Sequence, residues 1–451
     1  MFESINPATS ARIGSYNQED ESSFLYKLKV ADDTFDKWRF TKVKRRVELM
    51  DSLASSLANN RRHFSVLMTS EMGKPISESE AEISKCIWLC EFYRDNLKSF
   101  LKSVKIKSDA DSSYYQHVPI GVILGIMPWN FPAWQAFRMA VPAICAGNTV
   151  ILKHASNVMG SAEMIEKVFR EAGFETGVFQ NLRISSQQVS TLIRDERVRG
   201  VSLTGSDKAG SSVASQAGKE LKKSLLELGG SNAFIVFEDA DMDLALEKTV
   251  KGRFQNTGQS CIANKRLFVQ KGIFEKFLDA YVRRVRDLKV GDPIMQDTQI
   301  GPMARLDLAE TLERQLKESV ELGAKVILGG KRDGCFFDPT IITDVEPNMP
   351  VMKEEVFGPV IPIVPFDDWE DALRLSNDNE FGLGVSLFTA NTSKAKKWAE
   401  RFDEGAVFVN ELVKSDPRLP FGGVKRSGYG RELSSLGLFE FTNVQTVFVD
   451  E

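Results

Sequence analysis

Apolar residues recur along this chain with two different periods, and the change between them divides it. Val43, Val47, Met50, Leu53 and Leu57 fall at three- and four-residue steps, which puts them on one face of an amphipathic helix. Ile83, Cys86, Ile87 and Cys90 keep the same spacing, and the two cysteines read as small core hydrophobes on that stripe. The opening segment is therefore expected to be helical, with Asn59-Asn60 interrupting it and Gly73-Lys74-Pro75 forming a turn. Near residue 119 the pattern switches to short apolar runs, Val122 to Met127, Thr149 to Leu152 and Ala233 to Phe237, each of a length that suits a buried strand. Ser161 to Glu171 and Asp207 to Glu220, lying between them, predict helices. Such strand–helix alternation predicts a parallel sheet covered on both faces.

A second alternating series follows Gly230. Phe274 to Leu288 and Leu306 to Leu322 predict helices, and Lys325 to Leu328 a strand. Val385 to Phe388 predicts a strand, Ser393 to Phe402 a helix stopped by Gly405, and Val407 to Val409 a strand. Two α/β domains are expected, with Glu227 and Cys261 at their border, where ligand clefts usually lie. Ser112 to His117 and Val444 to Val449 are strand-like but fall outside both cores. Such edges are liabilities unless paired, and another subunit is one partner that would pair them.

The chain has 451 residues, 42 % of them hydrophobic and 27 % charged, as in a soluble protein with a large core. Its net charge of −4 gives no electrostatic case for a nucleic-acid or anionic-membrane partner. No run approaches the roughly 18 consecutive apolar residues of a membrane span. The first residues lack the basic and apolar regions of a secretory signal, so a cytoplasmic protein is expected. Five cysteines form an odd, sparse set that suits reduced thiols, and no Cys or His spacing suits a metal.

Cys261 ends the small, polar run Asn256 to Cys261, the composition of an ordered loop. None of the three histidines, His63, His117 and His154, is near it in sequence, so a Cys–His pair is not the obvious way to activate it. Leu226-Glu227-Leu228-Gly229-Gly230 offers a lone carboxylate beside a Gly-Gly hinge instead. Pro128-Trp129-Asn130-Phe131-Pro132 follows a predicted strand and sets Asn130 in a stiff turn, placed to donate an amide N–H to a ligand or simply to cap the turn. Lys153-His154-Ala155-Ser156 follows another, where doubly wound sheets bind cofactors; a solvated loop is the plain alternative. Leu203 to Gly210 runs through Gly205-Ser206 into a helix N-terminus, which favours phosphate, although it is not Gly-x-Gly-x-x-Gly. Glu354-Glu355-Val356-Phe357-Gly358-Pro359 pairs carboxylates with an aromatic residue, or forms an acidic surface turn.

Together and in this order, Pro128 to Pro132, Leu226 to Gly230, Gln255 to Cys261, Glu354 to Pro359 and Pro420 to Gly428 resemble the aldehyde dehydrogenase superfamily over essentially the full length. The resemblance implies a Rossmann-like NAD(P)-binding domain at 1–100 and 120–229 and an α/β catalytic domain at 230–430. It also implies a small β oligomerisation element at 101–119 and 431–451, joining subunits into a homodimer or homotetramer. By the same resemblance Cys261 attacks an aldehyde carbon, and the Asn130 amide with the Cys261 backbone N–H holds the oxyanion. Hydride then passes to the nicotinamide, and Glu227 activates the water that hydrolyses the thioester. Relatives that pass the acyl group to phosphate or coenzyme A generally lack this base, so hydrolysis is favoured over the CoA-acylating alternative. Implied cofactor contacts are Met127, Trp129, Lys153, His154, Ala155, Ser156, Gly205, Ser206, Leu228, Glu355 and Phe357.

Many NAD-preferring members carry a glutamate where this chain has Ser156. Without that acid, and with Lys153 nearby in sequence, NADP is expected to be preferred and NAD also accepted. Arg138, eight residues after Asn130, matches the arginine with which succinate-semialdehyde dehydrogenases bind the substrate's distant carboxylate. A salt bridge is its plain alternative. The second arginine those enzymes often carry, six residues before the cysteine, is Gln255 here. Ser415 is expected to supply a hydrogen bond instead, and Trp134 an apolar wall. The expected substrate is a short ω-carboxylated aldehyde, succinic semialdehyde first and glutarate semialdehyde next.

Overall fold

The apolar runs become strands of two separate sheets, and the chain passes from one to the other at residues 228–231. The computed structural model describes residues 1–450. The first sheet has six strands in the order Gly428–Tyr429, Lys223–Glu227, Val198–Thr204, Val122–Met127, Thr149–His154, Phe179–Leu182. All are parallel except the Gly428–Tyr429 edge. Alternate residues enter opposite cores. Ile123, Val150 and Leu152 pack with residues of helices Val43–Met72, Ile76–Phe100, Pro132–Ala146 and Met159–Glu171. Val122, Leu124 and Ile151 pack with residues of Glu21–Trp38, Val189–Arg194 and Asp207–Lys219. Burial on both faces is why these strands read as continuous apolar runs. Strand order reverses on either side of Val122–Met127, so the crevice of a doubly wound sheet opens where Pro128-Trp129-Asn130 follow it.

The second sheet has seven strands in the order Lys325–Leu328, Thr340–Thr343, Val360–Phe366, Asn264–Gln270, Asn232–Val236, Val385–Phe388, Val407–Val409. A third sheet pairs Thr442–Val449 with Ser112–Pro119, and the latter with Val104–Lys105. The two strand-like pieces outside the cores therefore pair with each other in one chain, and Thr442–Val449 remains an edge.

Three element expectations change. Helix Val43–Met72 runs unbroken through Asn59-Asn60. Asn60 Nδ2 donates to Ser56 O (2.9 Å) and to Glu171 (2.7 Å), while Phe64, Met68 and Met72 extend the buried face. Burial of that face outweighs the weak propensity of asparagine. Phe2–Ile5 and Arg12–Tyr16 form an antiparallel pair rather than helix. The helix expected to reach Phe402 is α-helical only over Thr392–Trp398, then tightens into a 3-10 turn at Ala399–Arg401. Gly73 ends the long helix with φ of 79°, a left-handed cap that suits glycine.

Candidate active site

Cys261 lies on a strained loop between helix Met242–Phe254 and strand Asn264–Gln270. Asn256 and Thr257 take φ of 53° and 54°, uncommon for residues with a side chain. Gly258, at 74°, backs onto the carbonyl of Gly358 so closely that a Cβ would collide. Buried polar contacts hold this shape. The Asn256 N–H donates to Glu78 (2.7 Å), Asn256 Nδ2 to Asn130 O (2.8 Å), and the Thr257 hydroxyl to Gly301 O (3.1 Å). Ala304 N–H donates to Gln259 Oε1 at 2.9 Å. Backbone strain persists only where its surroundings over-determine it, and it gathers at functional sites.

Two cavities meet at Cys261. One of about 240 Å³ is lined by Pro128, Trp129, Asn130, Thr204, Gly205, Ser206, Leu228, Glu355 and Phe357. The other, about 310 Å³, is lined by Lys85, Phe131, Trp134, Arg138, Gln255, Ser415 and Phe421 among others. Six of the expected cofactor residues, Trp129, Gly205, Ser206, Leu228, Glu355 and Phe357, thus share the first cavity. Lys153, Ala155 and Ser156 lie at the neighbouring strand end, outside that lining, with Ser156 exposed. Met127 and His154 turn into the core. Both ring nitrogens of His154 are used there: Nε2 donates to Pro132 O (2.9 Å) and Nδ1 accepts from Ala155 N–H (2.8 Å). Burial pushes its pKa down to about 4. These two side chains shape strand ends and do not face the cleft.

The expected catalytic residues differ in how they are held. Asn130 is buried beside the loop, and its Nδ2 donates to Gln259 O at 3.1 Å, which leaves its second N–H for another acceptor. The thiol of Cys261 is pushed up by burial, and Arg138 and Lys265 pull it part of the way back. Glu227 ends its strand 2 % exposed and lines neither cavity. Burial raises its pKa well above the carboxylate range, and neighbouring Glu432 raises it further. In this buried conformation the charged form of Glu227 is disfavoured.

Sequence reading missed Lys265. Its ammonium is fully buried and donates to Cys261 O and to Glu355, each at 2.8 Å. Glu355 also accepts from Gly230 N–H at 3.1 Å. One lysine and one carboxylate thereby join the Cys261 loop, the Glu355 turn and the crossing between sheets. A sequence signal existed: Lys265-Arg266 opens an otherwise apolar strand, and buried cations are rare unless paired.

On the other side, Arg138, Trp134 and Ser415 line one cavity. Trp134 is more than a wall, since its Nε1 donates to Ser415 Oγ at 3.0 Å. Arg138 forms the plain alternative, an ion pair with Glu432 in which both side chains are 2 % exposed. It also stacks 4.6 Å from the centre of the Phe421 ring, and its Nη2 has no hydrogen-bond partner. Gln255 lines the same cavity. Lys85, Phe421 and Glu432 were not foreseen as lining or supporting this site; Lys85 and Glu432 stand in no motif, and Phe421, although inside the Pro420 to Gly428 run, is far from Arg138 in sequence.

Known proteins share this architecture. The aldehyde dehydrogenase family matches residues 1–447. The chain is 44 % identical, over 448 residues and 99 % of each protein, to the probable NADP(+)-dependent succinate-semialdehyde dehydrogenase of Synechocystis sp.. It is 42 % identical over 450 residues, 99 % of this chain and 97 % of the other, to the NAD(P)+-dependent succinate semialdehyde dehydrogenase Sad of Escherichia coli. The crystal structure of succinic semialdehyde dehydrogenase from Streptococcus pyogenes in complex with NADP+ matches with a TM-score of 0.98 at 36 % identity, covering 100 % of both chains.

Proposed function

Because this chain belongs to the aldehyde dehydrogenase family and is an NAD(P)-dependent enzyme, we propose that it oxidises succinic semialdehyde to succinate with NADP as the preferred cofactor. The observation that carries this reading is the cavity shared by Cys261, Arg138 and Ser415, in which a reacting thiol and groups that suit a distant carboxylate lie together. The relatives above, named for the same aldehyde, support it. The first sheet serves as cofactor domain and the second as catalytic domain. Subunits assemble along the open edge of Thr442–Val449 into a cytoplasmic homodimer or homotetramer. Among the described residues, no helix is long and apolar enough to cross a membrane.

The strand ends fit a dinucleotide phosphate. Ser206 caps the 13-residue helix Asp207–Lys219, whose N-terminus favours phosphate. Lys153 forms no ion pair among the described residues, and exposed Ser156 brings no negative charge against a further phosphate. Trp129 and Phe357, packed edge to face at 5.8 Å, and Glu355 would hold the nicotinamide half. Bound NADP+ supplies the hydride acceptor. The Cys261 thiol gives up its proton to water in the open cleft, the resulting thiolate adds to the aldehyde carbon, and the oxyanion takes hydrogen bonds from the Asn130 amide and the Cys261 backbone N–H. Loss of hydride converts the thiohemiacetal into a thioester. Glu227 swings out of its buried place, ionises as it is rehydrated, and takes a proton from the attacking water. The C–S bond breaks, succinate leaves and Cys261 regains its thiolate. Steady-state kinetics with succinic semialdehyde, glutarate semialdehyde and butanal, each with NADP and NAD, test this. The highest kcat/KM belongs to succinic semialdehyde with NADP. An about tenfold advantage of NAD, or parity for butanal, contradicts the cofactor or the substrate assignment respectively.

A further inference from the structure

Lys85 reaches the substrate cavity from helix Ile76–Phe100, which carries none of the expected site residues. Its Nζ donates to Ser415 Oγ at 2.7 Å and lies 4.2 Å from the centre of the Trp134 ring. An ammonium has three donors, and Ser415 takes one. Among the described residues no carboxylate forms an ion pair with it, and the acids that attract it are committed elsewhere. Glu82 accepts the N–H groups of Ala133 (2.9 Å) and Trp134 (2.8 Å) and pairs with Lys74. Asp416 pairs with Arg418 at 2.7 Å. Desolvation, followed by repulsion from Arg138, pushes the Lys85 pKa down to about 8. A cation withdrawn from water without a counter-ion is costly, and an entering anion offsets that cost. Arg138 differs, because Glu432 already balances its charge. Ser415 Oγ accepts from both Lys85 and Trp134, so its own O–H points to a third group.

We propose that Lys85 is the charge-bearing anchor of the substrate site, binding the far carboxylate of the aldehyde together with the Ser415 hydroxyl and Arg138 Nη2. It supplies the positive charge that Gln255 does not. The inference rests on the reading that the substrate is an ω-carboxylated aldehyde. The test compares native enzyme, Lys85→Met and Lys85→Arg with NADP on succinic semialdehyde and on butanal, which has the same chain length without the carboxylate. In Lys85→Met the ratio of kcat/KM for the two aldehydes falls about ten- to a hundredfold, mostly through KM, and Lys85→Arg restores a large part of it. Binding of succinate, followed by tryptophan fluorescence, weakens in parallel and needs no turnover. Retention of ratio and succinate affinity within about twofold of native overturns the inference. Equal losses on both aldehydes that arginine does not restore also overturn it, because they mark a packing role. A native enzyme with no preference for succinic semialdehyde over butanal contradicts the substrate reading itself, and the inference falls with it.

Discussion

Burial raises the pKa of both Glu227 and Cys261 and so disfavours charge on either side chain in this conformation. That costs stability at Glu227 in a definite pH window. A carboxylate whose folded pKa is raised favours the folded state below its unfolded pKa, and that contribution is lost as pH rises toward the folded value. Glu227→Gln removes the titration. Its thermal midpoint is therefore expected above that of the native enzyme at pH 8 and level with it near pH 4. A midpoint at or below native at pH 8 means that Glu227 rests ionised. Turnover in the same variant falls about 10²–10⁴-fold, the usual contribution of a general base. The runs around Cys261, Glu227 and Asn130 are legible because each is locally distinctive; the raised pKa values of Cys261 and Glu227 are not, since they depend on what the fold packs around them.

Elements carried by a contiguous apolar run were read closely from sequence. Val122–Met127, Lys325–Leu328, Val385–Phe388 and Val407–Val409 have the expected ends. Where a local polar cue conflicted with a long buried face, as at Asn59-Asn60, the buried face won. Phe2–Ile5 and Arg12–Tyr16 were invisible because they are short, mostly exposed, and paired only with each other. His154 shows how a strand end is secured. Its ring ties Thr149–His154 to the start of helix Pro132–Ala146, and its pKa drops from 6.5 to about 4. A base with a depressed folded pKa contributes stability that is full above pH 6.5 and lost as pH falls toward 4. The loss amounts to about 3 kcal/mol. Urea unfolding followed from pH 7 to pH 4 should show it in the native enzyme, and His154→Gln should flatten that slope. An unchanged slope assigns the acid sensitivity to other groups.

The whole molecule brings the site together by one short crossing and one long return of the chain. The crossing at 228–231 hands the chain from the first sheet to the second, and the segment after Val409 comes back. Gly428–Tyr429 joins the first sheet beside Glu227, and Glu432 meets Arg138. Ser415 and Phe421 enter the substrate cavity on the same segment. Lys85 and Glu432 escaped sequence reading for this reason, since their partners Ser415 and Arg138 lie far away in the chain and no local pattern marks them. The arrangement places Cys261 where two cavities meet, which the proposed function assigns to the dinucleotide and to the carboxylated aldehyde. Its most direct test is the covalent intermediate. Glu227→Gln is mixed with succinic semialdehyde and NADP+, quenched in acid and measured by intact and peptide mass. The account predicts one succinyl group per subunit, on the peptide containing Cys261, formed with one equivalent of NADPH. An adduct on another cysteine, or NADPH formation with no acyl-enzyme at any time, would contradict it.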